Sequence, residues 1–487
     1  MSQEIRNLEP KELWNKFADL NAVPRPSKKE DRVIAFMKNF GESLGLETFE
    51  DEIRNVIIRK PATAGMENRK PIVMQGHLDM VHQKNGDTTF DFDTQGIDMY
   101  VDADWVRARG TTLGADNGLG VAAIMAVLES QTIAHPAIEA LFTIDEETGM
   151  TGALNLKGGI LQGQILLNLD TEEDDEIDIG CAGGIDVTAS AEFDEEETPD
   201  GSVGYTITVK GLSGGHSGMD IHKGLGNANK IMNRLLFDGF DNFGLQIASI
   251  HGGSLRNAIP RESVAKVIIA SVYDEAFVFD MQQIVNEIKT EFKTTEPKLE
   301  VVFEKLETVP AKVMPSIAQF YFVRAMYTAH NGVYRMSADF DNLVETSNNI
   351  AKVILEDGKL VVQCLTRSSV ETSKFDLANA LRSAFELMGC EVEFSGAYPG
   401  WTPNAQSEIL DVLVPIYEKQ NGDRPRVVAC HAGLECGILG TNYPDMDMIS
   451  FGPTIHGAHS PDERASISSS QKFWKFLIEI LANIPVK

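Results

Sequence analysis

Five stretches of the chain run apolar and then stop at a carboxylate or a histidine. Ile72-Val73-Met74 leads to His77 and Asp79, and Leu113-Gly114-Ala115 leads to Asp116. Leu141-Phe142-Thr143-Ile144 leads to Glu146 and Glu147, Ile165 through Leu169 to Asp170, and Met448 through Phe451 to His459. Short apolar runs read as buried strands of a parallel sheet, and open α/β folds collect their ligands at the carboxyl ends of such strands. Acids and histidines delivered to one crevice form an oxygen- and nitrogen-rich cage for divalent metal. A mixed Asp/Glu/His set without cysteine suits zinc, manganese or cobalt. Unpaired carboxylates meeting at one sheet edge would repel, and a pair of cations removes that cost.

Singly, each position has a plainer explanation. His77 and Asp79 lie two apart and share a face of an extended chain, so one can ligate while the other orients it. A His-x-Asp is also an ordinary surface pair. Asp116, flanked by glycines, could as well cap the helix that apolar spacing predicts over residues 118–130. Adjacent Glu146 and Glu147 project to different sides, so one can bind metal while its neighbour reaches a water. With Asp145 they also make an acidic turn. Asp170 is the first of several acids after its strand, and His456 competes with His459. The conjunction of all five sites is what points to metal chemistry.

The elements that must hold these residues alternate between helical and extended patterns. Residues 10–20 and 29–44 read as helices and 56–59 as a strand, ahead of the first metal-candidate strand. Strand and helix in repetition imply a mixed, mostly parallel sheet flanked by helices, an α/β domain. The pattern changes near Gly184, and the acidic run 192–199 reads as a solvated loop or hinge. Strands are expected near 205–210, 265–272, 299–303, 350–355, 360–365 and 391–395, with helices near 225–236, 277–292, 320–328 and 375–388. That middle region reads as an inserted α+β domain, with two related halves as one possibility. A helix over 407–420, a strand over 426–429 and a closing helix over 471–484 then resume the first pattern. The expected division is a discontinuous catalytic domain, 1–186 with 398–487, and an inserted domain, 187–397.

At 487 residues the chain is too long for one core. Lys and Arg number 43 against 72 Asp and Glu, a net charge of −29, which argues against nucleic acid and against anionic membranes. The first residues lack the apolar core of a secretory signal, and no apolar run is long enough to span a bilayer. Five cysteines without C-x-x-C spacing suit free thiols in a reducing, cytoplasmic setting.

These residues carry a family resemblance. Gln75-Gly76-His77-Leu78-Asp79, Gly114-Ala115-Asp116-Asn117-Gly118, Asp145-Glu146-Glu147-Thr148-Gly149 and Leu169-Asp170 stand in the order found in the M20 co-catalytic zinc peptidases. Residues 60–68, 180–184, 214–218, 256–260, 397–401, 431–437 and 459–463 resemble the Xaa-His dipeptidases within that family, so the likeness spans nearly the whole chain. It implies two Zn2+ per subunit, with Mn2+ or Co2+ as substitutes, and Asp116 bridging them. His77 and Asp170 would complete one position, Glu147 and His459 the other, and Asp79 would orient His77. Glu146 would be the general base, and the Asp116-Asn117 peptide is often cis in the family. The inserted domain resembles the family's lid, and its His216 matches a lid histidine that stabilises the oxyanion. Asn257 would assist. Arg367 would bind the substrate carboxylate, although a surface salt bridge is an alternative for it. Glu435 would receive the free α-amine.

The activity implied is hydrolysis of unblocked dipeptides, preferably Xaa-His and including β-alanyl-histidine. The implied assembly is a homodimer, with a monomer bearing a doubled lid as the alternative. An N-acyl-amino-acid deacylase and a non-catalytic peptide- or metal-binding protein are the competing readings. A dinucleotide enzyme is disfavoured, because no Gly-x-Gly-x-x-Gly follows the first strand.

Overall fold

The computed structural model describes residues 3–340, 342–404 and 406–487. The chain divides into two compact units. Unit 1 comprises Met1–Gly180, Pro403–Ala429 and Leu434–Lys487, and unit 2 comprises Cys181–Thr402 with Cys430–Gly433.

Unit 1 is built on an eight-stranded mixed sheet. Its centre is four parallel strands in the order Ile138–Thr143, Ile72–His77, Ile165–Asn168 and Asp447–Ser450. The first two are buried at every position, as is Ile165–Asn168, which is why they read as continuous apolar runs instead of alternating ones. Antiparallel strands Val56–Lys60 and Glu47–Glu50 extend one edge. Helix Ala115–Glu129 is buried on all sides from Asn117 to Leu128, the mark of a helix inside a core. Lys11–Leu20, by contrast, is amphipathic and buries Leu13, Trp14 and Phe17. A separate antiparallel sheet joins Met99–Asp102 and Trp105–Ala108 to Arg464–Ser466 and Ile455–His456.

One of the five apolar runs is not a strand. Leu113 and Gly114 form a buried loop, with Gly114 at φ 68°, and the helix begins at Ala115. Three residues punctuated by a left-handed glycine are too short and too bent to join a ladder.

Unit 2 is a nine-stranded antiparallel sheet with helices packed on it. Eight strands follow one path: Glu300–Lys305, Ser202–Lys210, Ser263–Ala270, Gln246–Gly252, Val344–Glu356, Lys359–Ser368, Gly183–Glu192 and Glu391–Tyr398. In chain order the first four places hold the last, first, third and second strands of their group. The next four hold the second, third, first and last of theirs. The two groups therefore share one connectivity in mirrored order, meeting where Ile250 pairs with Leu355. Helices Ala228–Phe243 and Asp274–Glu291 belong to one group, Ser316–Thr328 and Glu371–Glu386 to the other. The acidic run is mostly exposed, yet it contributes the two-residue strand Glu196–Glu197, paired with Lys312–Val313.

Candidate metal centre

Strand register delivers the site in unit 1. His77 ends its strand opposite Thr143, and Gln75 lies opposite Asn168, so His77, Glu146 and Asp170 all emerge from one edge. A buried polar belt runs just beneath. Asn168 Nδ2 donates to Gln75 Oε1 at 2.5 Å, while Gln75 Nε2 and Thr143 Oγ1 both donate to Glu435 Oε2 at 2.6 Å. Such a belt fixes the strand ends to one another, because each buried polar group is costly to strand without its partner.

Two triads that could hold a metal share Asp116. His77, Asp116 and Asp170 offer atoms within 4.8 Å of one another, as do Asp116, Glu147 and His459. His77 Nε2 lies 3.2 Å from Asp116 Oδ1 and 3.6 Å from Asp170 Oδ1. His459 Nε2 lies 3.3 Å from Asp116 Oδ2 and 2.9 Å from Glu147 Oε2. Each oxygen of Asp116 thus faces a different triad. His456 is elsewhere, against Trp105 and 3.6 Å from Glu173. The Asp116-Asn117 peptide is cis, and Asn117 Nδ2 donates to Leu169 O at 2.5 Å.

Asp79, the residue expected to orient His77, reaches further than that ring. Its Oδ1 lies 3.3 Å from His77 Nδ1, in ion-pair reach but out of line for a hydrogen bond. The same oxygen accepts from Glu146 N at 3.0 Å, and Oδ2 accepts from Glu147 N at 3.3 Å and Ser27 Oγ at 2.8 Å. One buried carboxylate therefore contacts His77 and holds the backbone of both glutamates. Glu146 itself lies within the same 4.8 Å grouping as His77 and Glu147, outside the two triads that share Asp116.

The electrostatics favour a cation here. Burial raises the Glu146 carboxyl well above its ordinary value, with Glu435, Glu147 and Asp116 adding to it against His77. Burial does the same to Asp170, helped by Asp116 and Glu146. Hydrogen bonds to Asp116 and Glu147 push His459 up to about 11. Burial would lower His77, but Asp170, Asp116 and Asp79 raise it well above normal. Glu147 Oε1 and Asp170 Oδ1 are buried without a hydrogen-bond partner. Side chains that hold protons this strongly, with unpartnered carboxylate oxygens and two imidazoles, fit a pair of divalent cations.

In unit 2, His216 lies on the short strand Gly215–His216, paired with Ala258–Ile259. Its Nδ1 accepts from Gly218 N at 3.2 Å and Met219 N at 3.1 Å, which leaves the ring proton on Nε2. Burial, and then Arg367, lower it to about 4, so the ring is a neutral donor near pH 7. Asn257 is exposed beside it, its carbonyl accepting from Ser217 N. Arg367 is 4% exposed and is no surface ion pair. It donates through Nη1 to Tyr398 OH at 2.7 Å and through Nε to Ser217 Oγ at 3.4 Å, with no carboxylate in ion-pair range among the described residues.

Glu435, the expected receiver of the substrate amine, lies deeper than the metal-candidate residues. It is completely buried in the belt beneath the cage, and burial pushes it up to about 7. Its Oε2 is bonded to Gln75 and Thr143 on the strands flanking the site, while its Oε1 has no hydrogen-bond partner. Sequence reasoning also passed over Glu463 and Arg25. Both are buried against the loop that carries Asp116, and no apolar run or glycine flags either one.

Two triads able to hold cations beside the carboxyl edge of a parallel sheet, with a proton-holding carboxylate next to them, are the equipment of a metal-dependent hydrolase. The chain belongs to peptidase family M20/M25/M40, whose profile matches residues 73–483. It is accordingly a hydrolase acting on peptide bonds. It is 42% identical over 488 positions to the cytosol non-specific dipeptidase of Escherichia coli strain K12, covering 99% of this chain and 100% of the relative. The crystal structure of aminoacylhistidine dipeptidase from Vibrio alginolyticus superposes with a TM-score of 0.94 at 44% identity, over 99% of both chains. Aminopeptidase PepT from Bacillus cereus shares the fold at a TM-score of 0.57 and 16% identity, over 98% of this chain and 99% of that one.

Proposed function

We propose that this protein is a dinuclear zinc dipeptidase that cleaves unblocked dipeptides, preferring a C-terminal histidine and accepting β-alanyl-histidine. The observation that carries the reading is Asp116 set between two triads, with Glu146 beside both. The names of the relatives from Escherichia coli and Vibrio alginolyticus support the substrate class, and the former supports a cytoplasmic setting. No helix among the described residues is long and apolar enough to cross a membrane.

His77, Asp170, Asp116, Glu147 and His459 would hold the metals. Bound there, the ions would supply Lewis acidity to the scissile carbonyl and make a water acidic near neutral pH. Glu146 accepts the proton of the attacking water and returns it to the leaving amine, a role its place beside His77 and Glu147 supports. His216, through Nε2–H, is the donor of the kind a developing oxyanion needs. Arg367, buried with only neutral partners, is matched to the dipeptide's carboxylate, with Asn257 as a further polar contact.

Purified protein assayed with carnosine, alanyl-histidine and N-acetyl-amino acids is expected to cleave the first two. Cleavage confined to the acetylated compounds would replace this reading with a deacylase. Arg367→Gln is expected to raise KM for dipeptides by roughly 10–100-fold, the worth of a charge-assisted bond, and to spare C-terminally amidated dipeptides. An equal rise for both substrates removes Arg367 from carboxylate recognition.

A further inference from the structure

Glu463, four residues beyond His459, turns its carboxylate into the backbone that carries Asp116. Its Oε2 accepts from Leu113 N at 2.7 Å and Gly114 N at 2.9 Å, and Oε1 from Ala115 N at 2.7 Å and Asp116 N at 3.3 Å. The side chain is 2% exposed. Four successive N–H groups converging on one anion make a nest of charge-assisted bonds. The left-handed φ of Gly114 permits that curl. A Cβ there would lie 2.7 Å from Arg25 Nη2 and 2.8 Å from Met80 Sδ, so the position takes glycine. Arg25 grips the same loop by its carbonyls, donating to Gly114 O at 2.5 Å and also to Leu78 O at 3.1 Å and Asp79 O at 2.8 Å.

The two triads depend unequally on this arrangement. His77 ends one parallel strand and Asp170 follows its neighbour, so sheet register sets their separation. His459 sits on a loop, at φ 65° and with its side chain 56% exposed. Glu463, on that same loop, ties it to the segment bearing Asp116. We propose that Glu463 is a positioning residue that fixes the distance between His459 and Asp116. It would thereby set the affinity of the Asp116–Glu147–His459 metal position in preference to the His77–Asp116–Asp170 position. This rests on the dinuclear reading above.

The test is calorimetric titration of the metal-stripped full-length protein with Zn2+ alone. Wild-type protein is expected to bind two ions; fewer than two sinks the dinuclear reading and this proposal with it. Where the wild type binds two, Glu463→Gln is expected to weaken one position by about 10–100-fold, the usual cost of losing a group that supports a ligand, and to leave the other unchanged. Gln would set an NH2 against two of the four N–H donors, whereas Glu463→Asp keeps the charge and should recover part of the loss. If Glu463→Gln does not fold, the selective loss is sought in Glu463→Asp. The Glu463→Gln effect should vanish in a His459→Ala background and persist in an Asp170→Asn background. Unchanged affinities, equal weakening of both positions, or full additivity with His459→Ala overturns the proposal.

Discussion

Replacing Glu146 by Gln is expected to keep both metals and to lower kcat by 10²–10⁴-fold, on the order that general acid–base catalysis contributes. Glutamine preserves the shape and one oxygen but cannot take a proton from water. The backbone N–H of Glu146 is held by Asp79, not by its own side chain, so the substitution leaves the turn anchored. Glu147 stays in place through its own backbone bond to Asp79 and its contact with His459. Steady-state kinetics alongside metal analysis of the same preparation distinguish the outcomes. Turnover near the wild-type rate removes Glu146 from proton transfer. Metal lost in step with activity makes Glu146 a ligand instead, a role its proximity to His77 and Glu147 allows.

Much of this site was readable in the sequence because a buried parallel strand advertises itself as an apolar run, and the run's end marks the functional edge. His77, Glu147 and Asp170 follow such runs, and the structure brings their side chains together. Asp116 was located for a different reason than supposed: its apolar neighbours are a buried loop, and the glycine between them is a conformational requirement. The family resemblance, not the spacing, preferred His459 over His456. What stayed hidden were partners that act through backbone groups. Asp79 accepting from Glu146 N, and Glu463 accepting from four amides, leave no side-chain pattern behind. The burial of Glu435 was likewise hidden, since a glutamate opening a helix reads the same in sequence whether it is exposed or enclosed. Two successive sets of strands and helices suggest related halves in unit 2, but not the mirrored strand order that the structure shows. Its register depends on pairings between segments about a hundred residues apart, which composition does not encode.

Asp116→Asn separates a shared ligand from two independent ones. One carboxylate oxygen lies 3.2 Å from His77 and the other 3.3 Å from His459, so on the proposed dinuclear reading both metal positions would draw on one side chain. An asparagine keeps one acceptor and turns an NH2 donor toward the other position, where it faces a cation. The variant is therefore expected to lose at least one metal outright and to hold the remaining one more weakly. Catalytic efficiency should fall by more than about 100-fold, since disturbing even a ligand's supporting partner costs 10–100-fold. Metal content measured after gel filtration, with kcat/KM on carnosine, gives both numbers. Asp174→Asn serves as the comparison: it breaks only the Lys472 ion pair at 2.8 Å, so metal content and kcat/KM should stay at wild-type levels. Two metals retained in Asp116→Asn with ordinary turnover would mean that the cations do not share this carboxylate. The proximity of His77 and His459 to it would then reflect simple ion pairing in a buried acidic pocket. Loss of one metal with the other at full affinity would assign Asp116 to a single position, and the two triads would have to be treated as separate sites with separate roles.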